Sequence, residues 1–111
     1  MSFLIFGAGS FGTAIGVHLA RLHKKEIIYL WGRDSKQIHL MQENHENQHY
    51  LPSVTFPDNL KPIDNTDIFS AINKVTYIIL ALPSHSFREI ILKFKADLIN
   101  KNNFIIIILY L

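Results

Sequence analysis

Three stretches of this chain carry residues whose types and spacing fit known chemistry. The first is FLIFGAGSFGTA, in which Gly7, Gly9 and Gly12 form G-x-G-x-x-G directly after an apolar run. In the strand–turn–helix setting this pattern binds dinucleotides. The first glycine permits a tight turn, the second admits a pyrophosphate to the backbone, and the third lets the helix pack close to the strand. The phosphates then meet free N–H groups at the positive helix end. Ser10 and Phe11 lie on the rim of that turn, within reach of a cofactor. The bland alternative is a glycine turn without a ligand. The second stretch is HENQH at 45–49, which matches H-E-x-x-H, the zinc-peptidase pattern. That chemistry needs both histidines on one helical face, a glutamate that activates water, and a third ligand. The third is Ser84-His85-Ser86, a hydroxyl beside an imidazole without the glycine elbow of a nucleophilic serine.

The elements around these stretches decide between the readings. Residues 3–6 are wholly apolar and end at Gly7, which suits a strand buried on both faces. Residues 12–24 suit a helix, with Ile15, Leu19 and Leu22 at helical spacing and Ala14 and Ala20 small enough to pack on a sheet. IIYLW at 27–31 is a second strand. Asp34 or Ser35 then caps a helix through about residue 46, with Ile38 and Met41 inward. Prolines at 52, 57 and 62 make residues 47–62 an ordered loop, followed by a short strand near Leu60–Ile63. Thr66 or Asp67 opens a brief helix, and VTYIILAL forms the next buried strand up to Pro83. SHSFREIILKFKADLI is an amphipathic helix with Phe87, Ile90, Ile91, Phe94 and Leu98 on one face. Ser86 and Glu89 fit a capping box there. NFIIIILYL is the last strand. Strands that are continuous apolar runs, alternating with helices, predict an α/β fold: a doubly wound parallel sheet of Rossmann type, a single domain over residues 1–111, strand order 3-2-1-4-5.

This context demotes the metal reading. Asn47 and Gln48 are mediocre helix formers, Pro52 follows closely, and His39 is a poor third ligand only six residues before the motif. No metal site is expected, and helix capping is the better account of Ser84 and Ser86. The second checkpoint of a dinucleotide fold lies at the end of the second strand, where an acid holds the ribose hydroxyls. Gly32 and Arg33 stand there, with Asp34 one step later. An arginine at this place pairs with a 2′-phosphate or stacks on adenine, so either NAD or NADP is expected as cofactor.

Composition bounds the rest. The 111 residues are 49% hydrophobic and 18% charged, with a formal charge of +2, which suits one globular domain and gives no footprint for nucleic acid. No cysteine is present, so disulfides, thiolate metal sites and cysteine nucleophiles are excluded and a cytoplasmic location is expected. No signal peptide is visible, and no apolar run has the roughly 20 residues that cross a bilayer.

Four stretches together resemble the N-terminal domain of bacterial NAD(P)-dependent glycerol-3-phosphate dehydrogenase: GAGSFGTA at 7–14, LWGRD at 30–34, NQHYLPSVTFPDNL at 47–60 and LPSHSFRE at 82–89. The proline-containing loop and P-S-H-x-x-R-E are its specific parts. The resemblance implies hydride transfer between the nicotinamide and C2 of dihydroxyacetone phosphate, giving sn-glycerol 3-phosphate for phospholipid synthesis. It places Ser10 and Phe11 against the cofactor, Arg33 and Tyr50 at its adenosine side, and Pro83 and Ser84 by the nicotinamide ribose. It implies a homodimer for the full-length proteins. Members carry a second, helical substrate domain and a lysine-glycine pair after the fifth strand; both are missing here, and no residue is named as the catalytic proton donor. The chain is therefore expected to be a fragment that keeps a cofactor fold without reducing substrate. The competing readings are a non-catalytic nucleotide-binding domain and a fragment of another two-domain reductase acting on a hydroxy acid or nucleotide sugar.

Overall fold

The computed structural model describes residues 2–99 and 105–108. Among the described residues nine elements follow in strict alternation: β1 (Phe3–Phe6), α1 (Ser10–Leu22), β2 (Ile28–Trp31), α2 (Ser35–Asn44), β3 (Leu60–Ile63), α3 (Ile68–Lys74), β4 (Tyr77–Leu80), α4 (Ser84–Ile99) and β5 (Ile105–Ile108). The sheet order is β3-β2-β1-β4-β5, and every pairing is parallel. This is the doubly wound arrangement expected from the uninterrupted apolar strands. The expected ends of the final strand, residues 103–104 and 109–111, lie outside the described residues.

The pleat divides the core in two. Along β1, Leu4 and Phe6 join a cluster built with α3 and α4, which includes Ile68, Ile72, Ile90 and Phe94. Phe3 and Ile5 point the other way, into a cluster with Val17, Ala20, Ile38 and Met41 of α1 and α2. Both faces of β1 are therefore buried, which is why FLIF lacks polar alternation. Phe94 packs at the centre of the first cluster, with ring centroids 5.5 Å from Phe6 and 6.1 Å from Trp31. Pro62 is tolerated because β3 is an edge strand, where a missing N–H leaves no ladder gap.

Several local expectations change. α1 begins at Ser10, two residues before the expected start, and its buried face is Gly12, Thr13, Gly16, Val17 and Ala20. Ala14 is exposed, Ile15 and Leu19 are half-buried, and Leu22 is exposed. The cause is close approach. A Cβ on Gly16 would already stand 3.2 Å from Leu60 and 3.3 Å from Ile5, so the small residues face the sheet and the larger ones flank it. α2 ends at Asn44, with His45 in the left-handed region at φ 53, two residues short of the expected end. Asp34 is its cap: one carboxylate oxygen accepts the N–H groups of Lys36 and Gln37 at 3.0 and 3.3 Å. α4 opens at Ser84, so Ser86 lies inside its first turn and the expected Ser86–Glu89 capping box is not the helix start. Asn59, in the proline-containing loop, closes the far end of α1: its amide nitrogen faces the carbonyls of Ala20, His23 and Glu26 at 2.9–3.0 Å.

Candidate functional site

A cleft of about 640 Å3 opens at the carboxyl ends of β1, β2 and β4. This is where strand order reverses, and helices leave opposite faces of the sheet on either side of it. Its floor is the turn after β1. Gly7 has φ +122, a value that L side chains rarely adopt, and a Cβ there would overlap the carbonyl oxygen of Ala81. A Cβ on Gly12 would overlap the Gly7 carbonyl oxygen. Gly9 is different: a Cβ there would meet no protein atom within 4 Å, so it would project into open space. Two glycines thus serve the packing, and the third keeps the cleft clear.

The start of α1 leaves donors for a ligand. Its ladder opens with the Thr13 N–H donating to Gly9 O at 3.0 Å, so the N–H groups of Ser10, Phe11 and Gly12 have no partner within the helix. Gly9 is the N-cap and has no side chain to cap them. A pyrophosphate fits this donor set: it would take the free N–H groups at the positive helix end, over a glycine whose missing side chain gives it room.

The turn is held by two side-chain amides. The Gln37 Nε2 and Asn47 Nδ2 groups each donate to the Ala8 carbonyl at 3.1 Å. Asn47 is 1% exposed and also donates to Thr13 Oγ1 at 2.9 Å. Its Oδ1 takes the Tyr50 N–H at 3.4 Å, which ties the loop after α2 to the glycine turn. These bonds fix the orientation of the Ala8 carbonyl within the turn. Sequence reasoning placed Asn47 in a distinctive loop without giving it this task, and nothing in the sequence marked Gln37.

Of the nine residues expected to touch a cofactor, Gly7, Gly9, Ser10, Phe11, Gly12, Arg33, Tyr50 and Pro83 line this one cleft. Phe11 and Tyr50 are each 42% exposed, leaving aromatic surface free at its rim. Ser84 is the first residue of α4, and its side chain lies outside the described part. Ser86 lines the cleft, with its N–H donating to Pro83 O at 2.9 Å. Trp31, Gly32, Gln37 and Ala81 also line it, although sequence reasoning assigned none of them. Trp31 is pinned by its indole N–H to Asn65 Oδ1 at 3.1 Å.

The end of β2 has its own electrostatics. Asp34 is committed to capping α2, as described. Arg33 reaches across to α4, where its Nη2 lies 3.5 Å from Glu89 Oε2. Nearby, Asp64 at the end of β3 accepts the Thr66 N–H at 2.9 Å, and this bond holds its carboxyl below the ordinary value of 3.8, against the opposing effect of burial. The Ser35 hydroxyl, the Thr66 hydroxyl and His39, 3.7 Å away, act in the same direction.

The H-E-x-x-H stretch has no helical register, because α2 has ended before it. Glu46 accepts the Ser53 N–H at 3.1 Å, the His45 carbonyl accepts the Phe56 N–H at 2.6 Å, and Asn47 and Leu51 form an isolated bridge. Glu46 is thus a loop fastener. The one-turn spacing that would bring both histidines to a single ion is not present.

Comparison with known proteins agrees with this geometry. The family described as NAD-dependent glycerol-3-phosphate dehydrogenase N-terminus matches residues 2–110. A glycerol-3-phosphate dehydrogenase [NAD(P)+] of Legionella pneumophila (strain Lens) is 44% identical over 89 residues, covering 80% of this chain and 26% of that protein. The enzyme of that name from Xanthomonas euvesicatoria is 41% identical over 87 residues, 78% of this chain and 24% of the other. The chain spans about a quarter of the length of the curated relatives it matches. The crystal structure of glycerol-3-phosphate dehydrogenase from Coxiella burnetii superimposes with a TM-score of 0.86 at 33% identity, covering 98% of this chain and 32% of that one. The yeast enzyme, at 22% identity and TM-score 0.84, shares the fold.

Proposed function

The chain belongs to the NAD-dependent glycerol-3-phosphate dehydrogenase N-terminal family, and from that premise we propose that residues 1–111 are the dinucleotide-binding domain of such an enzyme. The observation that carries the reading is the division of labour among the glycines. Gly7 and Gly12 are required by the packing around them. Gly9 has no such neighbour, so its missing side chain serves whatever occupies the cleft.

In this reading the N–H groups of Ser10, Phe11 and Gly12 hold the pyrophosphate of NAD or NADP. Arg33 and Tyr50 flank its adenosine end, and Pro83 with Ser84 borders the nicotinamide ribose. Gln37 and Asn47 orient the turn through the Ala8 carbonyl. The cofactor, when bound, supplies a hydride at its nicotinamide ring. The tasks of this chain's residues are to bind it, orient it and shield one side. The full reaction, reduction of dihydroxyacetone phosphate to sn-glycerol 3-phosphate for phospholipid synthesis, is proposed for the whole protein of which such a domain is part. The homodimer and the cytoplasmic location belong to the same proposal. The absence of cysteine suits a reducing compartment, and the small net charge gives no footprint for nucleic acid. No helix among the described residues is long and apolar enough to cross a membrane.

Titration of the purified chain with NADH and NADPH, read by quenching of Trp31 fluorescence or by calorimetry, tests the binding. Saturable binding of at least one cofactor, lost on changing Gly9, is the expected result. A chain that is folded by circular dichroism and binds neither would sink the proposal.

A further inference from the structure

Arg33 is the cation at the place where a dinucleotide fold reads the 2′ position of the adenosine ribose. It does not face that place alone. α4 brings Glu89 against it, with 3.5 Å between Nη2 and Oε2. The geometry arises from the early start of α4. Because the helix opens at Ser84, Glu89 falls in its second turn rather than in a capping box at its start. From there its carboxylate reaches Arg33, just past the end of β2. Asp34, the acid beside Arg33 in sequence, also lines the cleft, but one of its carboxylate oxygens caps α2. Among the described residues, Glu89 is the carboxylate that pairs with Arg33.

We propose that Glu89 is a cofactor-selecting residue: by pairing with Arg33, which lines the cleft, it opposes binding of a 2′-phosphate and tilts the site toward NAD(H). The inference rests on the dinucleotide reading of the cleft. The physical reason is competition for one guanidinium. A 2′-phosphate carries close to two negative charges and engages arginine through the same N–H fork as a carboxylate does. To reach Arg33 it must either displace Glu89 or sit beside it, and a like charge within several ångströms disfavours it. The ribose hydroxyl of NAD carries no charge and meets no such opposition. Both side chains are largely in water, with 54% and 62% of their surfaces exposed, so the pair is weak and readily broken. Glu89 thus biases the choice without forbidding NADP. The arginine keeps its use as a stacking surface for adenine in either cofactor.

The test is separate titration of the full chain with NADH and NADPH for the wild type, Glu89→Gln and Glu89→Lys. Glu89→Gln removes the charge while keeping the shape. NADPH affinity is expected to rise about threefold to tenfold in Glu89→Gln, the scale of one screened charge a few ångströms away. It should rise further in Glu89→Lys, and raised salt should shrink both gains. A merely structural role for Glu89 would shift both cofactors together and would not follow the charge series. An NADPH affinity that stays within twofold of the wild type, while NADH binds normally, overturns the proposal and leaves the dinucleotide site standing. A fall in NADH affinity with no gain for NADPH also overturns it, and assigns Glu89 to the ribose hydroxyls. Failure of the wild type to bind either cofactor removes the dinucleotide reading and this inference with it.

Discussion

Replacing Gly9 and Gly12 by alanine, one at a time, should separate binding from folding within a single turn. The Gly9 backbone has φ −83 and ψ −166, an extended conformation open to any residue, and a Cβ there touches nothing. Losing glycine from the unfolded chain stabilises by about 0.4–1 kcal/mol. Alanine is a worse N-cap than glycine by up to about 1 kcal/mol. These contributions oppose each other, so Gly9→Ala should unfold within about 1 kcal/mol of the wild type, only a few degrees in Tm. Its methyl group, however, would project into the open space that the proposed binding mode gives to the pyrophosphate. Hydrogen bonds to a charged group contribute about 1.5–3 kcal/mol each, so losing two weakens binding by about a hundredfold or more. Gly12→Ala should do the reverse first: its Cβ overlaps the Gly7 carbonyl oxygen, a backbone atom that cannot swing aside. The turn must then shift at a cost of about 1–3 kcal/mol or more, well beyond the helix-propensity gain of about 1 kcal/mol. Urea unfolding and cofactor titration on the same samples give both numbers. Unimpaired binding by Gly9→Ala would refute the argument that this open space is the phosphate cradle. Strong destabilisation by Gly9→Ala would refute the claim that its glycine serves the ligand rather than the fold.

Further outcomes follow from other contacts. Asn47→Leu leaves the buried Ala8 carbonyl with one donor and strips Thr13 of its partner, so it should cost about 2–4 kcal/mol in urea unfolding and weaken cofactor binding even where the protein remains folded. Phe94→Ala, at a fully buried ring between Phe6 and Trp31, should cost about 3–5 kcal/mol and lower Tm steeply. Asp64 has a folded pKa below its unfolded one, so its carboxylate stabilises the fold at pH above the unfolded value of 3.8, and that stabilisation is lost as pH falls through the folded value. The stability gap between wild type and Asp64→Asn should therefore be widest near neutral pH and close in acid; a gap independent of pH would contradict the assignment.

Much of the frame was legible because it depends on patterns a single strand or helix carries alone. FLIF, VTYIILAL and the other apolar runs have no polar alternation, which only a sheet covered on both faces explains. The glycine spacing predicted the turn, and the structure supplies a separate reason for each glycine. Less legible was which face of α1 packs. Ile15, Leu19 and Leu22 were expected inward together with Ala14 and Ala20; of these only Ala20 is fully buried, and Gly12, Thr13, Gly16 and Val17 complete the face, with Gly16 in a close approach that a side chain would crowd. The two amides on the Ala8 carbonyl were out of reach for a similar reason: Gln37 and Asn47 lie 29 and 39 residues from it. Their convergence exists only once α2 and its following loop are folded back over the glycine turn.

HENQH shows the boundary well. Its letters alone permit a metal pair, and its neighbours Asn47, Tyr50 and Pro52 already favoured an ordered loop. The end of α2 at Asn44 removes the helical register on which that pair depends, since ligand spacing has chemical meaning only in the backbone conformation that spaces it. Arg33 shows the converse. The sequence by itself determined that a cation stands at the end of the second strand, with an acid one step later. The tertiary structure decided that Asp34 caps a helix and that Glu89, 56 residues on, faces the arginine instead. The physical reason is that periodicity and turn chemistry act over a few residues, whereas the charge felt by a site is the sum over whatever the fold brings near.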